Sequence, residues 1–116
     1  MASGLYGITF LNALNNSHAL DLDNDTIKIM LVTSSYSPDF GAHDFKDDVT
    51  NEVSGTGYSA GGGTLTRVDP SSSGTTAFTD FSDLTFSTAT VTARGALIYN
   101  DSASGDPTVI VLDFGG

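Results

Sequence analysis

Eight consecutive residues constrain the fold more than any others: Thr26-Ile27-Lys28-Ile29-Met30-Leu31-Val32-Thr33. The run is rich in β-branched side chains, follows the acidic turn Asp21-Leu22-Asp23-Asn24-Asp25, and is apolar at both parities apart from Lys28. Successive side chains of a strand point to opposite faces. A strand that is apolar at both parities therefore needs cover on both sides and belongs inside a sheet, not at its edge. The chain has 116 residues, the size of one ordinary domain, so the remaining segments of that single domain have to supply the cover.

Upstream, Leu5, Ile8, Leu11 and Leu14 recur every third residue, with Phe10 and Ala13 widening the stripe. This spacing predicts an amphipathic helix over residues 4–16, with Ser3 as N-cap and Asn15-Asn16-Ser17 as its end. Residues 34–54 follow no period: Tyr36, Phe40, Phe45 and Val49 are scattered among Asp, Ser, Gly and Pro38. A connection of that length in a small domain is functional or packed as a flap, and residues 44–49 have room for one helical turn. Beyond residue 63 the chain reads as strands. Segments 64–69 and 75–79 flank Pro70-Ser71-Ser72-Ser73-Gly74, a turn signal. Leu84-Thr85-Phe86 keeps an apolar residue at every second position. Residues 90–99 lead into a buried run, and residues 108–114 form a last strand, its antiparallel partner. One helix followed by short strands predicts a mainly β domain, a small antiparallel β-sandwich or barrel-like body over residues 26–114 with a long loop.

Four Lys+Arg stand against fourteen Asp+Glu, a formal charge of -10. That sign opposes a phosphate backbone, which is bound by neutralising it with Lys and Arg, so neither direct nucleic-acid binding nor docking on an anionic membrane is expected. The absence of cysteine removes disulfides and thiolate metal sites. No apolar run approaches the roughly 20 residues that span a bilayer, and the N-terminus lacks a basic signal-peptide region, so the expectation is a soluble protein made in a cytoplasm.

Several stretches resemble sites of chemistry. Gly57-Tyr58-Ser59-Ala60-Gly61 fits the G-x-S-x-G nucleophile elbow, but no histidine follows Ser59, and Gly62-Gly63-Thr64 is a poor start for the helix the elbow needs. Gly55-Thr56-Gly57-Tyr58-Ser59-Ala60 fits a dinucleotide fingerprint with Asp80 downstream; no βαβ unit surrounds it, and neither a P-loop lysine nor a helix N-terminus is present to hold a phosphate. What remains for residues 54–65 is a glycine-rich connection that needs positive φ or close backbone approach where the long loop re-enters the sheet, with Tyr58 as its anchor. Asp21, Asp23 and Asp25 occupy the first three ligand positions of an EF-hand loop, but Thr26 and Val32 stand where its Gly and Glu belong, which favours a solvated turn. His43, Asp44, Asp47 and Asp48 lack metal-site spacing to the only other histidine, His18. No catalytic, metal or cofactor set emerges. The aromatics Tyr36, Phe40, Phe45 and Tyr58 suit a core or the packing of the long loop better than a sugar-stacking platform.

Taken together, Asn24-Asp25-Thr26-Ile27-Lys28-Ile29-Met30-Leu31-Val32, Tyr36-Ser37-Pro38-Asp39, His43-Asp44-Phe45, Glu52-Val53-Ser54-Gly55-Thr56-Gly57-Tyr58 and Gly61-Gly62 resemble a family of small virion structural proteins of tailed bacteriophages. Residues 81–86, Ala93-Arg94-Gly95-Ala96, Tyr99 and Asp113-Phe114 extend the likeness, and the order and spacing of all these segments carry it. The resemblance implies a non-enzymatic capsid decoration (cement) protein on the capsid exterior. Its partners would be the major capsid protein and copies of itself, with a homotrimer suited to local threefold axes. A tail or neck component and a glycan-binding surface module are the alternatives. The expected subunit contacts are the face of Leu5, Ile8, Leu11 and Leu14 and the loop and glycine-stretch aromatics Tyr36, Phe40, Phe45 and Tyr58.

Overall fold

The computed structural model describes residues 1–17 and 20–115; His18 lies outside them. Five strands form one antiparallel sheet: β1 (Gly4–Leu5), β2 (Ile27–Val32), β3 (Gly63–Thr64), β6 (Gly95–Asn100) and β7 (Thr108–Asp113), in the order β1-β7-β6-β2-β3. A second sheet is the hairpin of β4 (Arg67–Ser73) and β5 (Thr76–Phe81). The fold is mainly β, as expected. The five-stranded sheet has two ends and stays open, so the barrel alternative drops out.

β2 lies inside the sheet, paired over its whole length with β6 from Ile27↔Asn100 to Val32↔Gly95. Its two parities serve two cores. Met30 and Val32 join Tyr6, Tyr36, Val49, Leu97, Tyr99 and Val111 on one face. Ile27 joins Ile98 and Val109 on the other, with Ile29, Leu20, Leu22, Leu65 and Phe81 packed around them. The exception, Lys28, holds its ammonium 3.7 Å from the Asp101 carboxylate. All six residues of β6 are buried, so β6 is the true centre of the sheet. The irregular 34–54 segment is a flap: Tyr36, Val49 and Val53 are buried, and its single helical turn is a 3-10 turn at Lys46–Asp48.

Three local expectations are corrected. The helix, α1, spans only Gly7–Leu14, because Gly4 and Leu5 pair with Val111 and Ile110 of β7. Tyr6 takes the N-cap position without a side-chain cap, and the Ser3 hydroxyl instead accepts the Asp113 amide at 2.7 Å. The hairpin turn falls at Gly74 and Thr75, where Gly74 has φ +61°, and not across residues 70–74. Ser71, Ser72 and Ser73 are paired in β4, and Pro70 sits in the irregularity between Val68 and Ser71, one of the few places a strand tolerates a proline. Residues 84–86 and 90–94 form no named strand. Phe86 instead leans on Tyr58 (ring centroids 5.4 Å), and Thr90 makes one bridge to Thr56.

The acidic turn is held by its own side chains. Asp21 Oδ1 accepts the amides of Asp23 and Asn24, both at 3.1 Å. Asp25 Oδ2 accepts the side-chain amide of the buried Asn100 at 2.7 Å. At the far end of the sheet, Arg94 Nε donates to Asp113 Oδ1 at 2.6 Å, and this bond holds the Asp113 carboxyl down at about 2.

Candidate docking surface

The glycine stretch becomes architecture through Tyr58. The outer edge of β2 is met by residue 53 at one end, where the Val53 amide donates to the Leu31 carbonyl, and by β3 at the other, where Ile29 pairs with Gly63. Between them the Leu31 amide has no strand opposite. It donates to the Tyr58 hydroxyl at 3.0 Å, and that hydroxyl donates to Glu52 Oε2 at 2.6 Å. The Gly61 amide donates to the same carboxylate oxygen at 2.7 Å. A phenol thus stands in for a missing peptide group, which is the reason an aromatic anchor sits among glycines here.

Gly57, Gly61 and Gly62 all adopt positive φ, as the composition of the stretch requires. At Gly62 the close approach is to β2: a Cβ there would stand 1.8 Å from the Ile29 carbonyl oxygen. Ser59, the would-be nucleophile, is exposed on this turn, and only its backbone carbonyl is engaged, by the Gly62 amide. Replacing Ser59 with Ala is expected to shift stability by no more than about 0.5 kcal/mol in a urea titration. A larger loss would give the hydroxyl a role that its exposure denies.

His43 is also structural. Its Nδ1 accepts the Asp39 amide at 3.1 Å; an amide can only donate, so Nδ1 carries no proton and Tyr36, 2.9 Å away, donates to it as well. Tyr36 in turn accepts from Tyr6 at 2.6 Å. A second route reaches the same residue: Thr9 of α1 donates to Thr108, 3.1 Å away, which donates to the His43 carbonyl at 2.8 Å. Asp48 is occupied at 3.2 Å by the Phe45 amide. Among the described residues, no three His, Asp or Glu side chains are grouped to hold a metal ion.

These bonds fix how α1 sits. Tyr6 and Thr9 are buried, and Ile8, Asn12 and Ala13 are half-buried. On the outer side are Phe10, Leu11 and Leu14, exposed at 50, 53 and 70%. The helix is therefore inverted relative to the usual surface helix, which buries its apolar stripe and shows its polar face to water. Phe10 and Leu14, and Leu11 and Leu14, are neighbours on one helix face, so the three side chains form one continuous patch.

Of the eight residues expected to make contacts, Leu11 and Leu14 lie in this patch. Leu5 is 48% exposed on β1, and Ile8 points into the core beside Tyr6. The aromatics belong to the interior or its margins. Tyr36 and Tyr58 are 3 and 9% exposed, Phe40 packs on Tyr6 with ring centroids 5.2 Å apart, and Phe45 lies over Gly105. Core or loop packing accounts for all four, Tyr36 and Tyr58 being buried and Phe40 and Phe45 half-buried, and a sugar-stacking platform on Tyr36 or Tyr58 has no exposed ring to use. Phe10 is the contact candidate absent from the expected set. The sequence does carry a signal for it: no Asp, Glu, Lys or Arg precedes Asp21, whereas a helix meant to show its polar side to water normally carries charges there.

A second uncovered element is the β4–β5 hairpin, whose β4 is exposed along its whole length and whose Val68 and Phe78 stand 49 and 50% exposed. An isolated two-stranded hairpin is marginally stable in water; here Phe81 at its base packs against the second core and Thr79 is half-buried.

Compared with protein-family models, curated proteins and solved structures, the chain matches none.

Proposed function

We propose that this chain is a non-enzymatic structural protein of a tailed-phage virion, a decoration protein that docks on the outside of the capsid and bridges its subunits. The observation that supports this reading best is the inverted helix. A domain this small needs its apolar side chains for its own core, yet Phe10, Leu11 and Leu14 face water. Exposed apolar patches on monomeric proteins mark contact surfaces. The hairpin adds a second uncovered element. The motif stretches that invite a chemical reading are taken up by strand closure at Tyr58 and helix seating at His43. A net charge of -10 keeps such a protein soluble and apart from nucleic acid until it meets its docking site.

Added to empty, expanded capsids, the purified protein is expected to co-sediment with them at a saturable ratio and to raise their resistance to heat. Absence of co-sedimentation would reject the capsid assignment, and density for the chain in the neck or tail of a whole-virion reconstruction would move it there.

A further inference from the structure

We infer that the Phe10–Leu11–Leu14 face of α1 is the contact between copies of this chain. The inference rests on the contact role proposed for that face, gives the face to a second copy and leaves docking on the capsid to the rest of the surface; it concerns the free protein and is tested without any capsid.

Two observations select a second copy as the occupant. The first is self-complementarity. A symmetric contact sets a patch against itself, which is favourable for a neutral, apolar patch and unfavourable for one carrying charges of one sign. The second is where the charge lies. The chain carries -10, yet its first acidic residue is Asp21. Copies meeting through carboxylate-bearing surface are opposed by their own charge, whereas copies meeting through α1 meet at a segment that contributes none. A basic partner would gain no ion pair on this face.

The size of the patch sets the strength. Eight residues of helix are about 12 Å long, and such a contact buries far less than the roughly 800 Å² per partner of a standard stable interface. The pair is therefore weak and reversible in dilute solution. It becomes populated where copies are held side by side, since effective concentrations between neighbouring sites reach the millimolar range.

The test is sedimentation equilibrium from about 10 μM to about 1 mM, a range that brackets weak association, at about 20 mM and about 500 mM NaCl. The wild-type chain is expected to rise above the monomer mass with concentration, and to do so several-fold more readily at high salt, because screening removes the repulsion between acidic bodies and leaves the apolar contact intact. The double variant Leu11→Ser, Leu14→Ser is expected to weaken association at least about tenfold. Its circular dichroism and thermal midpoint should be unchanged, because both side chains are more than half exposed. A monomer at every concentration and salt, or association undiminished in the double variant, would overturn the inference. So would binding to phosphatidylcholine vesicles without self-association, which would assign the face to a lipid surface. Capsid binding that survives in a strictly monomeric protein would sink this inference and leave the decoration role standing.

Discussion

Replacing Gly62 with alanine is expected to cost more than about 3 kcal/mol, enough to unfold much of a small domain whose total stability is of order 5–15 kcal/mol. Two costs combine. The backbone at Gly62 has φ +80°, a region in which a Cβ costs about 1–2 kcal/mol. The added carbon would also stand 1.8 Å from the Ile29 carbonyl oxygen, with the Met30 Cα at 2.8 Å, so β2 itself would have to move. The control is Gly74→Ala in the hairpin turn. Its φ of +61° is similar, but nothing lies within 4 Å of the added carbon, so only the conformational cost of about 1 kcal/mol remains. Urea unfolding of the two variants separates the terms. Equal losses would mean that β2 yields to the new methyl, and the seal on its outer edge is looser than described.

The second large effect is alkaline unfolding. All four tyrosines hold their protons above the ordinary value of 10.0. Burial is the leading cause at each; bonding to Tyr36 adds to it at Tyr6, and the Glu52 carboxylate adds to it at Tyr58. Tyr99 is pushed up to about 12, by burial first and then by Asp101, Asp106 and Glu52. A folded value above the unfolded one means that the native state binds more protons in the intervening range. The stabilisation is thus complete below pH 10 and is lost as the pH rises through the folded values. Phenolate absorbance is therefore expected to stay low past pH 10 and then to appear in one steep step together with loss of the β-sheet signal. A gradual titration centred near 10 in a protein that stays folded would show that the hydroxyls are not enclosed.

Much of the body was legible because its signals are local. The two-parity apolar run at residues 26–33 required an internal strand, and the closing segment at residues 108–114 required a partner in the preceding run; β2, β6 and β7 meet both demands. The helix was legible as an element but not in its orientation. Periodicity finds a stripe; which side faces inward is decided by Thr9 meeting Thr108 and by Tyr6 reaching Tyr36, contacts spanning 99 and 30 residues of sequence. Pro70 signals a turn because a proline usually ends a strand, whereas here a bulge between Val68 and Ser71 absorbs it. Tyr58 stood out as an anchor from its glycine neighbours. Its substitution for a peptide group at Leu31 becomes visible only when residues 53 and 63 are placed on the same strand edge. For the contact surface, the sequence signal lies in the first twenty residues, which carry no Asp, Glu, Lys or Arg.

The patchwork along the outer side of β2 has a consequence for life at high density. A long, straight strand margin invites chain after chain to add, and such growth ends in fibres. Here that margin is divided among a single bridge at Glu52, one phenol and the two residues of β3. At the opposite limit of the sheet, β1 offers two residues and the Ser3 hydroxyl finishes the job. Neither flank presents a continuous row of amides to copy. Molecules at high concentration can then touch through side chains without the backbone of the five-stranded sheet being recruited into an endless one.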